Sequence, residues 1–482
     1  MKHYFFMLIA MLFITCCNNS KVKTEKQKQD KPNILFIAID DMNDWTTLFD
    51  SANPIKTPNL ERLAKRGMFF THAYCAVAAC NPSRTAILTG LQPTTSGVYS
   101  NGQEWKKLLP DVVTLPQYFT QNGYTTIGGG KIFHHGKTGD DREDNPSFQE
   151  FFKLRMHAHK PDSNYNGYRS GPGLKQLSSP RYDWGEHDAP KQPDEYTIEY
   201  INQVMEDQPK DKPLFLAAGI FRPHLPFWAP PGTFERYPFD ETKLPPMPEN
   251  DLDDVPEIGK KMASTEHFIW ENTTLPPATR PGSLKKMVQC YQASADFADQ
   301  MVGRLIDKLD ASGRAENTII VLWADHGYHL GDKEACVKFT LWEKANRVPF
   351  IIVAPGITKP GSRCDKPVSL VDIYPTLLEL ANLPQKDDLD GLSLVPLLEN
   401  PDMEWERPAI MTMGKGNHAV RSQRWRYIRY RDGTEELYDH NNDPWEWTNL
   451  AKDKTYADVI ANHKKWLPKK EAPVKLNKSK AN

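Results

Sequence analysis

The string Cys80-Asn81-Pro82-Ser83-Arg84-Thr85-Ala86-Ile87-Leu88-Thr89-Gly90 places a thiol at the start of a helix. Pro82 and Ser83 suit a first helical turn, where unpaired N–H groups and the helix dipole favour an anion. Arg84, one turn on, reaches back toward the same point. Two acidic sets follow apolar runs: Asp40-Asp41 after Asn33 to Ile39, and Asp325-His326-Gly327 after Thr318 to Trp323. A lone carboxylate at a strand end is ordinarily a helix cap or a surface ion pair. Two sets arriving at one sheet edge instead offer hard oxygen ligands to a divalent cation, Ca²⁺ in preference to Mg²⁺. A cation, an arginine and a sulfur at a helix start suit chemistry on an anion.

These residues need a frame that brings them together. Asn33 to Ile39, Leu214 to Ala218, Thr318 to Trp323 and Phe350 to Val353 are continuous apolar runs, as strands buried on both faces require. Helical patterns lie between them, notably Lys286 to Leu309 and a helix opened by Thr57-Pro58 and closed by Gly67. Alternating buried strands and helices predict an α/β fold with a largely parallel sheet, whose ligands bind at the carboxyl ends of the strands. Segments 140–190 and 225–280 are rich in Pro, Asp and aromatic residues and read as insertions forming the rim of that site. Beyond residue 370 the pattern changes. Ala419 to Tyr430 and Glu436 to Tyr438 read as antiparallel strands around an Asp432-Gly433 turn, followed by a helical tail near Tyr456 to Trp466. The expected division is a catalytic domain over 32–370 and a small C-terminal α+β subdomain over 371–482.

The Cys80 string has the form C-x-P-x-R followed by x-x-x-L-T-G, and it resembles the signature of the type I, formylglycine-dependent sulfatases. Ala79 and Asn81 depart from its commonest form. Gly123-Tyr124-Thr125-Thr126-Ile127-Gly128-Gly129-Gly130-Lys131-Ile132-Phe133-His134 resembles the family's second signature, with Gly129 its single departure. Asp40-Asp41 and Asp325-His326-Gly327 complete the pattern in chain order. Lys131 to His134, Arg222 to Phe227 and Asp325 to Gly331 look most like the iduronate-2-sulfatase branch, on what reads as a bacterial polysaccharide sulfatase. The fold implied is alkaline-phosphatase-like.

The resemblance implies a mechanism. A maturation enzyme oxidises Cys80 to formylglycine, and a hydroxyl of its hydrate attacks sulfur. Asp40, Asp41, Asp325 and His326 surround the metal together with the group at position 80. Asp325 takes the proton of the nucleophile, while Lys131 and Lys338 face the non-bridging sulfate oxygens. Arg84 completes the catalytic set. His224 is chosen as general acid to the leaving alcohol, and His134 as the base that expels sulfate. His135, His329 and the His157/His159 pair are read as structural.

The chain has 482 residues, 60 Lys+Arg against 62 Asp+Glu and a net charge of −2, which argues against general nucleic-acid binding. Residues 1–17 read as a signal peptide. Lys2 and His3 precede an apolar run from Tyr4 to Ile14, and Thr15-Cys16-Cys17 resembles a bacterial lipobox in which either cysteine suits the lipid. Residues 18–31 read as a flexible tether. The expectation is an exported, lipid-anchored protein in the periplasm or at the outer membrane or cell surface. Cys75, Cys290, Cys336 and Cys364 are left for structural roles. The expected substrate is a sulfated glycan, an algal polysaccharide such as ulvan or a glycosaminoglycan. Trp184, Trp228, Tyr328 and Phe339 are candidate sugar-stacking residues, with a core role the equal alternative for each, and the basic stretch 153–160 reads as a solvated charged loop ahead of a carboxylate-binding one. Rival readings are a phosphonate or phosphodiester hydrolase of the same superfamily and a non-catalytic glycan-binding lipoprotein. The latter predicts decayed catalytic positions, and Cys80, Arg84, Lys131, His134, His224 and Asp325 are intact.

Overall fold

Strand β1, Asn33–Asp40, is buried at every residue, as its unbroken apolar run requires. A computed structural model describes Met1 and residues 31–134, 147–152, 184–186, 191–264 and 280–475. The segments read as signal and tether, His135, the 153–160 stretch and the His157/His159 pair lie outside the described residues, Met1 and Lys31 aside.

Around β1 run β2 (Met68–Phe70), β3 (Thr125–Gly130), β4 (Glu150–Phe152), β5 (Leu214–Pro223), β6 (Thr318–Ala324), β7 (Phe350–Val353) and β8 (Ser362–Cys364). They form one eight-stranded sheet in the order β8-β2-β7-β6-β1-β5-β3-β4. The five strands from β6 to β4 are mutually parallel, so β1, β3, β5 and β6 end on the same edge. Strand β7 runs antiparallel to both β6 and β2, which makes the sheet mixed. Apolar content alone does not encode direction, because a strand covered on both faces reads the same either way.

The sheet is flanked by helices α1 (Pro58–Ala64), α2 (Cys80–Thr89), α3 (Pro193–Asp207) and α4 (Arg280–Ser312). The side chain of Thr57 makes no cap bond to α1. Its hydroxyl accepts from the Leu48 N–H instead, and the Asp299 carboxylate on α4 takes the Asn59 and Leu60 N–H groups at 3.0 and 2.8 Å. The cap is thus a long-range one, invisible to a local reading. Helix α1 ends at Ala64, ahead of Gly67. Gly67 answers to packing, since a Cβ there would stand 2.3 Å from the Ile352 carbonyl oxygen.

The C-terminal part adds a four-stranded antiparallel sheet of β9 (Ala409–Thr412), β10 (His418–Arg421), β11 (Trp425–Arg429) and β12 (Glu435–Asp439), with helix α5 (Ala457–Lys464) after it. The expected strand from Ala419 to Tyr430 is therefore two strands, broken at Ser422–Arg424. Glu343 is tied to this sheet through Arg421 and Arg426. Contacts join the chain from Pro32 onward into one compact unit. Among the described residues no helix is long and apolar enough to cross a membrane.

Candidate active site

The ends of β1, β3, β5 and β6 deliver the site. Asp40 closes β1, and a register shift after Ile39 sets it opposite Pro223, next to the turn that carries His224. Asp325 follows β6 directly, and its Oδ1 accepts from the Asp41 and His326 N–H groups at 3.1 and 3.0 Å. Lys131 follows the glycine run that ends β3, and its N–H donates to the Gly219 carbonyl at 3.0 Å. Two glycines permit that approach. A Cβ on Gly130 (φ 75°) would lie 2.0 Å from the Gly219 oxygen, and one on Gly219 would lie 2.3 Å from the Lys131 carbonyl carbon.

Helix α2 begins at Cys80 itself, with Ala79 as its extended cap residue, so the thiol occupies the first helical position. The sulfur is fully buried. It lies 3.3 Å from Lys338 Nζ, 3.3 Å from His326 Nε2, 3.8 Å from Lys131 Nζ and 4.0 Å from Asp41 Oδ1. Burial opposes a thiolate here, but Lys131, Lys338 and His326 outweigh it and hold the Cys80 thiol well below its ordinary value.

Arg84 does not turn back onto the sulfur. Its Nε donates to Asp325 Oδ2 at 2.7 Å, one terminal nitrogen to Asp40 Oδ1 at 3.1 Å, and the other to the Lys131 and Ile132 carbonyls. It is a buried brace between three strand ends. Lys131 also pairs with Asp40, and Lys338 with both oxygens of Asp41 at 2.7 and 2.8 Å. Asp40 is held well below the usual carboxylate range: burial pushes it up, but Lys131 and Arg84 prevail. Asp325 shares Arg84 with the negative Asp40, and burial raises it. His326 is raised, because Asp325 and the Cys80 sulfur overcome its burial. Its Nδ1 donates to the Gly327 carbonyl at 3.0 Å, which leaves Nε2 facing the site.

His224 is half-buried, and its Nδ1 donates to the Leu225 carbonyl at 2.5 Å. Burial, then Lys131, lowers its pKa, so the neutral imidazole is favoured. His134 contacts the Cys80 sulfur, and its Nδ1 is buried with no hydrogen-bond partner among the described residues. Two overlapping donor groups have ligand atoms within 4.8 Å of one another: Asp40, Cys80, Asp325 and His326, and Asp40, Asp41, Cys80 and His224. Three buried carboxylates and an inward imidazole nitrogen suit a hard divalent cation. Asp40, Asp41, Cys80, Arg84, Lys131, His134, His224, Asp325, His326 and Lys338 are brought to this one cluster.

The other residues singled out in the sequence have the following settings. Tyr328 is buried and stacks on Tyr291 at 5.9 Å between centroids, which makes it a core residue rather than a rim one. Phe339 and Trp228 are half-buried. Trp184 belongs to a short strand beside Phe227–Ala229, and its side chain lies outside the description. His329 is enclosed between Asp332 and Thr340, a structural setting. Cys75, Cys80, Cys290, Cys336 and Cys364 are all free and buried.

Three residues support the site through partners that the sequence does not disclose. Ser83 donates to the Asp325 carbonyl at 2.6 Å, and Asp194 accepts from the Phe221 and Arg222 N–H groups at 2.8 and 3.0 Å. Tyr291 bonds the turn at Asp41. An Asp in the first turn of α3 is the one hint available beforehand.

Residues 32–383 match the family model described as Sulfatase, and residues 331–472 match one described as N-sulphoglucosamine sulphohydrolase, C-terminal. The chain is 37% identical to a sulfatase of Formosa agariphila, over 98% of this chain and 93% of the relative. It is 29% identical to an ulvan-active sulfatase of the same organism, over 98% and 86%. Human iduronate 2-sulfatase is 29% identical over 73% of this chain and 70% of its own. The solved structure of a 2-O GAG sulfatase superposes with a TM-score of 0.67 at 22% identity, covering 91% of each chain, which places the fold.

Proposed function

This chain belongs to the sulfatase family and is a sulfuric ester hydrolase, and on that premise we propose that it desulfates a uronate-bearing polysaccharide of the ulvan type, with a formylglycine made from Cys80 as its nucleophile. The ulvan-active relative, similar over nearly the whole chain, supports the glycan; glycosaminoglycans belong to the same substrate class. The observation that carries the chemistry is the convergence of Lys131, Lys338 and His326 on the Cys80 sulfur, beside three buried carboxylates.

Asp40, Asp41, Asp325 and His326 would hold Ca²⁺, which supplies Lewis-acid polarisation of the sulfate when bound. The hydrated aldehyde at position 80 would supply one hydroxyl to attack sulfur and a second whose deprotonation releases sulfate. The chain's own groups do the rest. Lys131 and Lys338 present fixed ammonium groups to the non-bridging oxygens, whose charge is redistributed as the ester bond breaks. Arg84 keeps Asp40 and Asp325 at fixed separation. Asp325, raised by burial, accepts a proton at Oδ2. His224, oriented through its Nδ1 bond to Leu225, presents Nε2 to the leaving sugar oxygen and gives it a proton. His134 offers its unpartnered Nδ1 to the second hydroxyl. The lipobox-like Thr15-Cys16-Cys17 supports export and lipid anchoring, consistent with work on a large external polymer.

Peptide mass spectrometry at position 80, on protein from a host with the maturation machinery, is expected to show the aldehyde. The same preparation is expected to release sulfate from ulvan oligosaccharides, and Cys80→Ala to abolish that release while leaving the melting curve native. Finding only thiol at position 80, or turnover persisting in Cys80→Ala, refutes the nucleophile. A strong preference for aryl phosphodiesters over aryl sulfates refutes the reaction class.

A further inference from the structure

Among the three site carboxylates, Asp41 alone sits in left-handed backbone, with φ 61°. Asp tolerates that region better than most residues, yet it remains a minority conformation that the surroundings must hold. The turn is fully buried, so its peptide groups need partners inside the protein. The Asp41 N–H donates to Asp325 Oδ1 at 3.1 Å. Its carbonyl and the Asn43 N–H both go to one atom, the hydroxyl of Tyr291 on α4. That hydroxyl donates to the Asp41 oxygen at 2.6 Å and accepts from the Asn43 nitrogen at 3.0 Å.

Tyr291 is itself fixed. It is fully buried, stacked on Tyr328 and edge-on to Phe227, with centroids 5.9 and 5.3 Å apart. Asn43 locks the far side of the turn: its Nδ2 donates to the Tyr328 carbonyl at 2.9 Å, and its Oδ1 accepts from the Trp45 N–H at 3.1 Å. One phenol thus spans both ends of the turn that aims Asp41 at Cys80, Lys338 and His326.

We infer that Tyr291 is a positioning residue for the metal site, its hydroxyl clamping the Asp41–Asn43 turn so that the Asp41 carboxylate is preset as a ligand. The inference rests on the reading of Asp41 as a ligand given above. Outer groups that orient a ligand typically change metal affinity about tenfold to a hundredfold when removed. Lys338 holds the same carboxylate from its other side but does not govern the backbone from which the carboxylate projects.

The test is calorimetric titration of Ca²⁺ into chelator-treated protein, wild type against Tyr291→Phe, which keeps the ring packing and deletes one oxygen. The expected result is affinity weakened about tenfold or more, with a native circular dichroism spectrum. Tyr374→Phe removes another buried phenol, one bonded to the Val113 carbonyl at 3.2 Å, and is expected to keep wild-type affinity. Tyr291→Phe within twofold of wild type overturns the inference, as does equal weakening in Tyr374→Phe. If Tyr291→Phe does not fold, Asn43→Ala loosens the far end of the same clamp, and wild-type affinity there overturns it. Wild-type protein that binds neither Ca²⁺ nor Mg²⁺ instead refutes the metal reading itself.

Discussion

Replacing Lys338 with Met separates the two jobs of a buried ammonium. Lys338 Nζ sits 2.7 and 2.8 Å from the two oxygens of Asp41 and 3.3 Å from the Cys80 sulfur, and it is almost fully buried. Met keeps most of the volume and removes the charge and three donors. Without a metal, Asp41 is left as a buried carboxylate whose other close cation is His326, at 3.4 Å. Breaking a buried pair from one side costs about 3–5 kcal/mol, so Lys338→Met in chelator is expected to lose about that much stability. With saturating Ca²⁺ the cation takes over the neutralisation of Asp41, and the loss is expected to shrink to about 1 kcal/mol. Turnover does not recover in the same way. One fixed donor to developing charge is worth about 10²–10³ in kcat, and Ca²⁺ cannot occupy the Lys338 position. The assays are urea midpoints with and without chelator, and aryl sulfate turnover normalised to aldehyde content. Equal destabilisation in chelator and in Ca²⁺ refutes the placement of the cation at Asp41. Turnover within about threefold of wild type refutes the role of Lys338 in charge stabilisation.

Burial and Lys131 lower His224, so its proton-donating form is populated only below about pH 6.5, the ordinary histidine value. Turnover of glycan sulfates, whose leaving alkoxide needs that proton, is therefore expected to fall with rising pH already below about 6.5, whereas aryl sulfates lack this limb. His224→Ala is expected to cost about 10²–10⁴-fold on glycans and little on aryl substrates; equal losses on both would remove His224 as the acid. Asp299→Ala, which uncaps α1 far from the chemistry, is expected to lower stability by about 2 kcal/mol with kcat unchanged, read from thermal melts and aryl sulfate turnover.

What the sequence disclosed and what it withheld follow one physical division. Residues whose type is dictated by chemistry stood out: Cys80, Arg84, Lys131, Asp325 and His326 lie in short strings whose spacing is fixed by a single strand end or helix turn. Their frame was legible for the same reason, since β1, β5 and β6 are continuous apolar runs feeding directly into them. Residues whose job is set by a partner hundreds of positions away were silent. Asp299 caps a helix through Asn59, 240 residues earlier, and Tyr291 bonds a turn 250 residues away. Nothing in the period of α4 distinguishes either residue from an ordinary member of its buried face. Arg84 shows the boundary between the two classes. Its presence was readable from the motif, yet its partners were not, because a guanidinium near a helix start can face the ligand or the ligand's neighbours. Here it takes the neighbours: both carboxylates and the Lys131 carbonyl. The charge that would bind sulfate is accordingly left to Lys131 and Lys338, two buried side chains whose ammonium groups stand 3.8 and 3.3 Å from the Cys80 sulfur. With the guanidinium braced behind the carboxylates and the two ammonium groups held by Asp40 and Asp41 in front, positive charge would stand ready for the sulfate oxygens without any movement of the carboxylates.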